Sequence, residues 1–122
     1  MLTVTIKEDK SILEKCGCDD CLVLMGVEDG LEKGYVAFKQ NGYVIDIVGF
    51  EVYYSTKELS GESFVIADTL IKSLASYALN HSCYYIESSK KELYDILSRF
   101  TFTENNDKLT SNLSKILKVC EN

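Results

Sequence analysis

Three of the five cysteines in this 122-residue sequence fall within six residues, in the segment KCGCDDC. Cys16, Cys18 and Cys21 have C-x-C-x-x-C spacing, which lets one loop present three thiolates to a single Zn²⁺ ion. Because the sequence has no second C-x-x-C, a redox or thiol-reactive role and unligated structural thiols stay open as alternatives. A closed zinc site needs a fourth ligand, for which the candidates are Cys120, which we favour because it ends the chain's last helical stripe, Cys83 and His81.

Composition narrows the classes of function that the chain can have. The net charge is −6, and the only basic doublet is Lys90–Lys91, so the clustered basic face that nucleic-acid binding requires is missing. No apolar run approaches the ~20 residues of a membrane span. The first ten residues, MLTVTIKEDK, lack the pattern of a signal peptide. We therefore expect a soluble, cytoplasmic protein with reduced thiols that binds neither nucleic acid nor membrane.

The first half of the chain has the patterns of a β-rich region. Alternation of apolar residues from Leu2 to Ile6 predicts a strand, and Asp9 is a candidate N-cap for a short helix to Lys15. Turns are predicted at Asp29–Gly30 and at Asn41–Gly42. The strand after the second turn, YVIDIVGFEVYY, carries Gly49 in its middle, which predicts a β-bulge or the close approach of another group.

The second half changes to a helical period. Ala67, Leu70, Ile71, Leu74 and Ala78 predict one amphipathic helix over residues 62–80. CYYIE follows as a short strand, a capping-box spacing from Ser89 to Glu92 predicts a second helix, and a third apolar stripe starts at Leu113. The sequence thus predicts one α/β (α+β) domain over residues 1–122. Its element order is β-α-β-β-β-α-β-α-(β)-α, with a mostly antiparallel sheet flanked by helices.

This order of elements resembles the GNAT superfamily of N-acetyltransferases. A meander with a long, interrupted third strand precedes an amphipathic helix, a short strand, a helix and the aromatic ending Phe100–Thr101–Phe102. The chain also looks like short, cysteine-bearing members of this superfamily from anaerobic bacteria. The resemblance implies binding of acetyl-CoA and transfer of its acyl group to an amine.

The resemblance also implies where acetyl-CoA would bind. The motif Arg/Gln-x-x-Gly-x-Gly/Ala, whose backbone N–H groups hold the pyrophosphate at a helix N-terminus, falls on residues 62–67. Ala67 fits the motif, whereas Glu62 and Val65 depart from it, so we expect weak binding. The implied cofactor-binding residues are Val65, Ile66 and Ala67 at the pyrophosphate, with Gly49, Phe50 and Val52 along the pantetheine arm.

Two catalytic residues are implied in the same way. The position that often holds the general-acid tyrosine falls on Leu97, so Tyr94, one turn earlier, is the candidate to protonate the CoA thiolate. Glu51 is the candidate base for the incoming ammonium. Asp46 is a second acid on the same strand, and a bulge at Gly49 would bring both acids to one face.

The sequence therefore supports two principal hypotheses. The first is an acyl-CoA-dependent N-acyltransferase with a degenerate cofactor motif, acting on an unidentified amine as a monomer or homodimer. The alternative is a non-catalytic GNAT-like module whose cysteine loop binds zinc or a partner. An assembly protein that associates through an open sheet edge is a third interpretation.

Overall fold

The computed structural model describes residues 2–53 and 61–118 of the chain. Its seven-stranded sheet has the order β1-β2-β3-β4-β5-β7-β6 and is antiparallel except where β4 pairs with β5. This confirms the predicted fold class. The strands are β1 (Thr3–Lys7), β2 (Leu22–Glu28), β3 (Leu31–Asn41), β4 (Val44–Val52), β5 (Tyr85–Ser88), β6 (Thr103–Asn105) and β7 (Lys108–Asn112). The helices are α1 (Lys10–Cys16), α2 (Glu62–Asn80), α3 (Tyr94–Leu97) and α4 (Leu113–Lys118).

The two helices that cover the sheet begin where their sequences predict, and α1 ends at Cys16, one residue later than predicted. Asp9 caps α1, since its Oδ1 accepts a hydrogen bond from the backbone N–H of Ile12 at 3.2 Å. Gly17 ends α1 in the left-handed conformation, with φ of 69°. The long helix α2 spans the predicted range 62–80, which confirms that prediction.

A β-bulge interrupts β4 where the sequence predicts one. Ala37 pairs with Gly49 but Phe38 pairs with Ile47, so Val48 is the extra residue. The bulge matters for the site because it changes which side chains share a face of the sheet. Asp46 and Glu51, five residues apart, end on the same face.

Two local predictions are corrected. The hairpin turn between β3 and β4 consists of Gly42 and Tyr43, one residue later than predicted, and Gly42 supplies the positive φ of 63°. The predicted capping box does not form: a 3₁₀ turn (Lys91–Leu93) leads into the single α-helical turn of α3. Ser88 ties the chain leaving β5 to β4, because its Oγ donates to the Ile47 carbonyl at 2.8 Å.

A further hairpin forms in the region where the sequence has only a weak β or loop pattern. Strands β6 and β7 pair around Asn106 and Asp107, which both have positive φ. Phe102 and Leu109 are buried in the core at this hairpin. Among the helices of the described part of the chain, none combines the length and apolar character needed to cross a membrane.

The sheet buries two apolar clusters, one on each face. The larger lies under α2, where Phe38, Leu70 and Leu74 are fully buried. The smaller lies under α1. Its members are Ile12, Val23, Met25, Tyr35 and Ala37.

Candidate active site

A cleft opens where β4 and β5 part. The parallel ladder between them stops at the pair Asp46–Glu87, while β4 continues to Val52. The cleft has a volume of about 190 Å³ and uses residues 48–51 of β4 as one wall. The other residues that line it are Lys90, Glu92 and Leu93, which follow β5, and Lys15, Cys16 and Tyr35, which come from α1 and β3.

The thiol of Cys16 lies directly against the backbone of β4 at the bulge. A Cβ atom added at Gly49 would stand 2.4 Å from Cys16 Sγ, closer than any unstrained contact. The same Cβ would lie 3.4 Å from a ring carbon of Tyr35. The close approach predicted from a glycine inside the long strand is therefore confirmed, and the approaching group is the last residue of α1.

Tyr35 and Glu51 stand beside this thiol because they are direct cross-strand partners on β3 and β4. The Tyr35 hydroxyl lies 3.5 Å from Glu51 Oε1 and is close enough to the Cys16 thiol to affect its acidity. Lys15 reaches across from α1, with its Nζ 2.8 Å from Glu51 Oε1. A thiol, a phenol, a carboxylate and an ammonium thus meet at one end of the cleft.

The surroundings change the acidity of these groups. Burial raises the pKa of the Cys16 thiol above its usual value of 9.0, and the hydrogen bond from Tyr35 acts in the opposite direction. Burial also raises the pKa of Tyr35, with the neighbouring Cys16 and Glu51 adding to the shift. The hydrogen bond to Glu51 raises the pKa of Lys15. At neutral pH, the thiol and the phenol hold their protons and Lys15 is charged.

The two candidate acids separate in the structure. Glu51 lines the cleft, whereas Asp46 shares its face of the sheet but lies below the point where the strands part. Burial, with the charge of Glu87 as a smaller contribution, raises the pKa of Asp46. Only Glu51 of this pair is placed to meet a group entering the cleft.

The predicted cofactor-binding residues divide between the cleft and the core. Gly49 and Phe50 line the cleft, while Val52 packs in the core under α2. Ile66 and Ala67 are also buried in that core. The N-terminus of α2 follows residues 54–60, which lie outside the described residues.

The first turn of α2 carries the departures from the cofactor motif. Val65 is 57% exposed there. The unfavourable charge of Glu62 is partly compensated, because Lys33 Nζ lies 3.6 Å from Glu62 Oε1. The charge of Glu62 therefore repels a bound phosphate less strongly than the sequence alone indicates.

Tyr94 lies at the β6–β7 turn and not in the lining of the cleft. Its hydroxyl donates to the Asp107 carbonyl in the β6–β7 turn at 2.5 Å, and it is not among the cleft-lining residues. Leu97 is fully buried. The phenol that lines the cleft is Tyr35, and catalysis by Tyr94 stays a prediction.

The cysteine loop divides into a bonded pair and a separate thiol. Cys18 and Cys21 form a disulfide, so the expectation that all five thiols are reduced is wrong for these two. Donor atoms of Cys18, Asp20 and Cys21 lie within 4.8 Å of one another, a cluster that leaves out Cys16. A disulfide offers no thiolate, so this cluster could hold a metal only after reduction. Cys120 lies outside the described residues.

Sequence reasoning missed Tyr35, Lys15 and Lys90 as residues of the site. The alternation in GYVAFKQ places Tyr35 and Ala37 on one face of β3, which is a usable signal for Tyr35. No pattern in the sequence indicates that α1 rests on this face of the sheet.

Solved structures with the same arrangement of elements are N-acetyltransferases and related proteins. A putative acyl-CoA N-acyltransferase from Klebsiella pneumoniae aligns with a TM-score of 0.69 at 12% identity, over 93% of this chain and 98% of that one. The Escherichia coli ribosomal-protein-S18-alanine N-acetyltransferase aligns with a TM-score of 0.66 at 8% identity, over 93% and 94% of the two chains. An E. coli GNAT family N-acetyltransferase in complex with CoA aligns with a TM-score of 0.62 at 14% identity, over 95% and 83%.

The chain therefore has the fold of the GNAT superfamily. No protein-family model and no curated protein matches its sequence. Identities this low establish the fold alone. The narrower likeness to short, cysteine-bearing members from anaerobic bacteria stays a prediction.

Proposed function

We propose that this protein is an acyl-CoA-dependent acyltransferase whose reaction centre is the cleft between β4 and β5. The observation that carries the proposal is the meeting of Cys16, Tyr35 and Glu51 beside the bulge of β4, where two parallel strands part. The wall formed by residues 48–51 offers extended backbone to the amide groups of a pantetheine arm. The acceptor is an amine, and the protein acts in the cytoplasm as a monomer or homodimer.

Each predicted residue has a part in this proposal. Gly49, Phe50 and Val52 form or support the wall along which the arm lies. Val65, Ile66 and Ala67 belong to the first turns of α2, whose backbone N–H groups and helix dipole favour the pyrophosphate. Acyl-CoA supplies an activated acyl group as its thioester.

Glu51 acts as the base for the incoming ammonium. Its carboxylate lies at the mouth of the cleft, where it accepts hydrogen bonds from Lys15 and Tyr35. Tyr35 is better placed than Tyr94 to return a proton to the departing sulfur, since it lines the cleft and is protonated at neutral pH.

Binding of acetyl-CoA tests the proposal directly. Calorimetry should show weak binding because Glu62 and Val65 replace the favoured residues of the phosphate site. At a ligand concentration ten times Kd, binding would stabilise the fold by about 1.4 kcal/mol, which a thermal shift detects. An absence of both heat and thermal shift at millimolar acetyl-CoA would remove the acyltransferase proposal.

Replacing each of the two acids on β4 by its amide tests which of them acts as the base. We expect Glu51→Gln to abolish acyl transfer to amines while leaving acetyl-CoA binding intact. Asp46→Asn, a matched change on the same face but outside the cleft, should retain transfer. A greater loss with Asp46→Asn than with Glu51→Gln would refute the role of Glu51.

A metal-binding module is the second candidate, and the clustered donors of Cys18, Asp20 and Cys21 favour it. With Cys16, Cys18, Cys21 and Cys120 as its four ligands, a reduced and rearranged loop would hold one Zn²⁺ in a non-catalytic protein, since Cys16 now lies against Gly49 outside the cluster. Elemental analysis of protein purified under reducing conditions without chelator tests this. Less than about one metal per ten chains would exclude it, since a structural zinc site is normally filled.

A further inference from the structure

The position of Cys16 in the cleft is held by both ends of α1 and by the space at Gly49. Asp9 at one end of α1 and Gly17 at the other hold this short helix so that its last side chain meets β4. Gly49 leaves the space that the thiol occupies. The sulfur is half-buried and lines the same cavity as the Glu51 carboxylate.

The other described cysteines are not available to a ligand in the cleft. Cys18 and Cys21 are joined to each other, and Cys83 is fully buried in the core under α2. Cys16 is therefore the free thiol that lines this cavity among residues 2–53 and 61–118.

We propose that Cys16 is the first acceptor of the acyl group, so that acyl transfer passes through an acylated form of this protein. The inference rests on the proposed function and names a covalent step within it. The Cys16 sulfur attacks the thioester carbonyl carbon and the bond from that carbon to the CoA sulfur breaks. The proton that leaves Cys16 goes to the CoA sulfur. One thioester and one thiol become another thioester and another thiol, with no change of oxidation state.

The second half of the reaction uses the same groups. An amine nitrogen attacks the acyl carbon on Cys16, the bond to the Cys16 sulfur breaks and an amide forms. One proton of the amine returns to the sulfur, which restores the free thiol. Glu51 stands beside the thiol to take this proton from the amine and pass it on.

Charged and titratable groups surround the thiol from each element packed against it. Tyr35 favours the thiolate by hydrogen bonding, and the charges of Lys15 and Lys90 also favour it. The charge of Glu51 opposes it. The charged and titratable groups that line the cavity around the thiol are Lys15 on α1, Tyr35 on β3, Glu51 on β4, and Lys90 and Glu92 after β5.

Mass spectrometry of the full chain tests the inference. The protein is incubated with acetyl-CoA without amine, quenched in acid, and analysed intact and as peptides. We expect one acetyl group on the peptide that contains Cys16, removable by neutral hydroxylamine. Cys16→Ala should gain none, and Cys83→Ala, which removes the buried thiol instead, should react like the natural sequence.

Urea-unfolded protein supplies the background rate at which acetyl-CoA modifies an exposed thiol. Cys16 in the folded protein should react about tenfold faster or more, since a held geometry replaces a random encounter. An equal rate in the folded and unfolded protein would overturn the inference.

The failure of the inference is distinguishable from failure of the proposed function. If acetyl-CoA binds and an amine is acylated while Cys16→Ala keeps its full rate, transfer is direct and the role of Cys16 is refuted. If acetyl-CoA does not bind at all, the proposed function and the inference both fall.

Discussion

The two faces of the central sheet differ in what they bury. The face under α2 is closed by a 19-residue helix over a large apolar core. The face under α1 has a helix of seven residues, a smaller apolar cluster, and the Cys16–Tyr35–Glu51 group at its edge. The larger apolar core and the candidate chemistry therefore lie on different faces, as expected if functional groups come from the less stable parts of a fold.

The largest expected effect is the loss of unfolding free energy when an isoleucine is truncated on each helix. The two losses should differ between the faces. Ile71 on α2 is 1% exposed and Ile12 on α1 is 7% exposed. We expect Ile71→Ala to lower the free energy of unfolding by about 4 kcal/mol and Ile12→Ala by about 2 kcal/mol, within the range for such truncations. Denaturant titration measures both. Equal losses would mean that the two faces contribute alike to stability.

Two glycines differ in what an added Cβ atom would meet, which is backbone at Gly34 and a side chain at Gly49. A Cβ at Gly34 would stand 2.6 Å from the Glu51 backbone oxygen, whereas a Cβ at Gly49 meets the Cys16 thiol. We expect Gly34→Ala to cost about 3 kcal/mol and Gly49→Ala about 1.5 kcal/mol, as overpacking usually does.

A double-mutant cycle separates the causes of these losses. Added to Gly49→Ala, Cys16→Ala should restore most of the stability, but it should restore none to Gly34→Ala. A lack of coupling between positions 16 and 49 in denaturant titrations would show that the thiol does not rest on this glycine.

Tyr35 should tune the reactivity of Cys16 on the α1 face. Because its hydrogen bond lowers the pKa of the thiol, Tyr35→Phe raises that pKa further and reduces the thiolate present at pH 8. Alkylation of Cys16 by iodoacetamide should slow about two- to tenfold, which corresponds to one hydrogen bond of roughly 0.5–1.5 kcal/mol. Peptide mass spectrometry measures the rate.

Tyr94→Phe is the matched control for this change. It removes a hydroxyl that bonds to Asp107 outside the cleft, so the alkylation rate should stay the same. A slower rate in Tyr94→Phe than in Tyr35→Phe would show that the Tyr35 hydroxyl does not control the acidity of Cys16.

The acid sensitivity of α1 is the smallest expected effect. Hydrogen bonds from Ser11 and from the Ile12 backbone lower the pKa of Asp9 from 3.8 to about 2. Because the folded-state pKa is the lower one, the stabilisation is complete above about pH 4 and is lost as the pH falls towards 2. Asp9→Asn keeps a cap without titrating, so its melting temperature should fall less between pH 5 and 2 than that of the natural sequence. Parallel curves would contradict this.

Much of the fold was predictable because its signals are local. The helical period of residues 62–80, the Asp9 cap and the turn residues act within a few positions of the chain, and each was confirmed or displaced by one residue. The capping box at Ser89 failed for a long-range reason, since Ser88 bonds to β4 and ties down the chain just before it.

The local sequence was enough to predict most of the strands, the long helix and the interruption of β4 at Gly49, because strand alternation and glycine placement follow from backbone sterics. Glu51 as a candidate base came from the resemblance to the GNAT superfamily. The position of Cys16, outside the Cys18–Asp20–Cys21 group and against Gly49 beside Tyr35, depends on the tertiary structure. Gly49 and Tyr35 are 33 and 19 positions from Cys16. What brings them together is the pairing of β3 with β4 and the packing of α1 on that pair, and neither leaves a trace in the local pattern of Cys16.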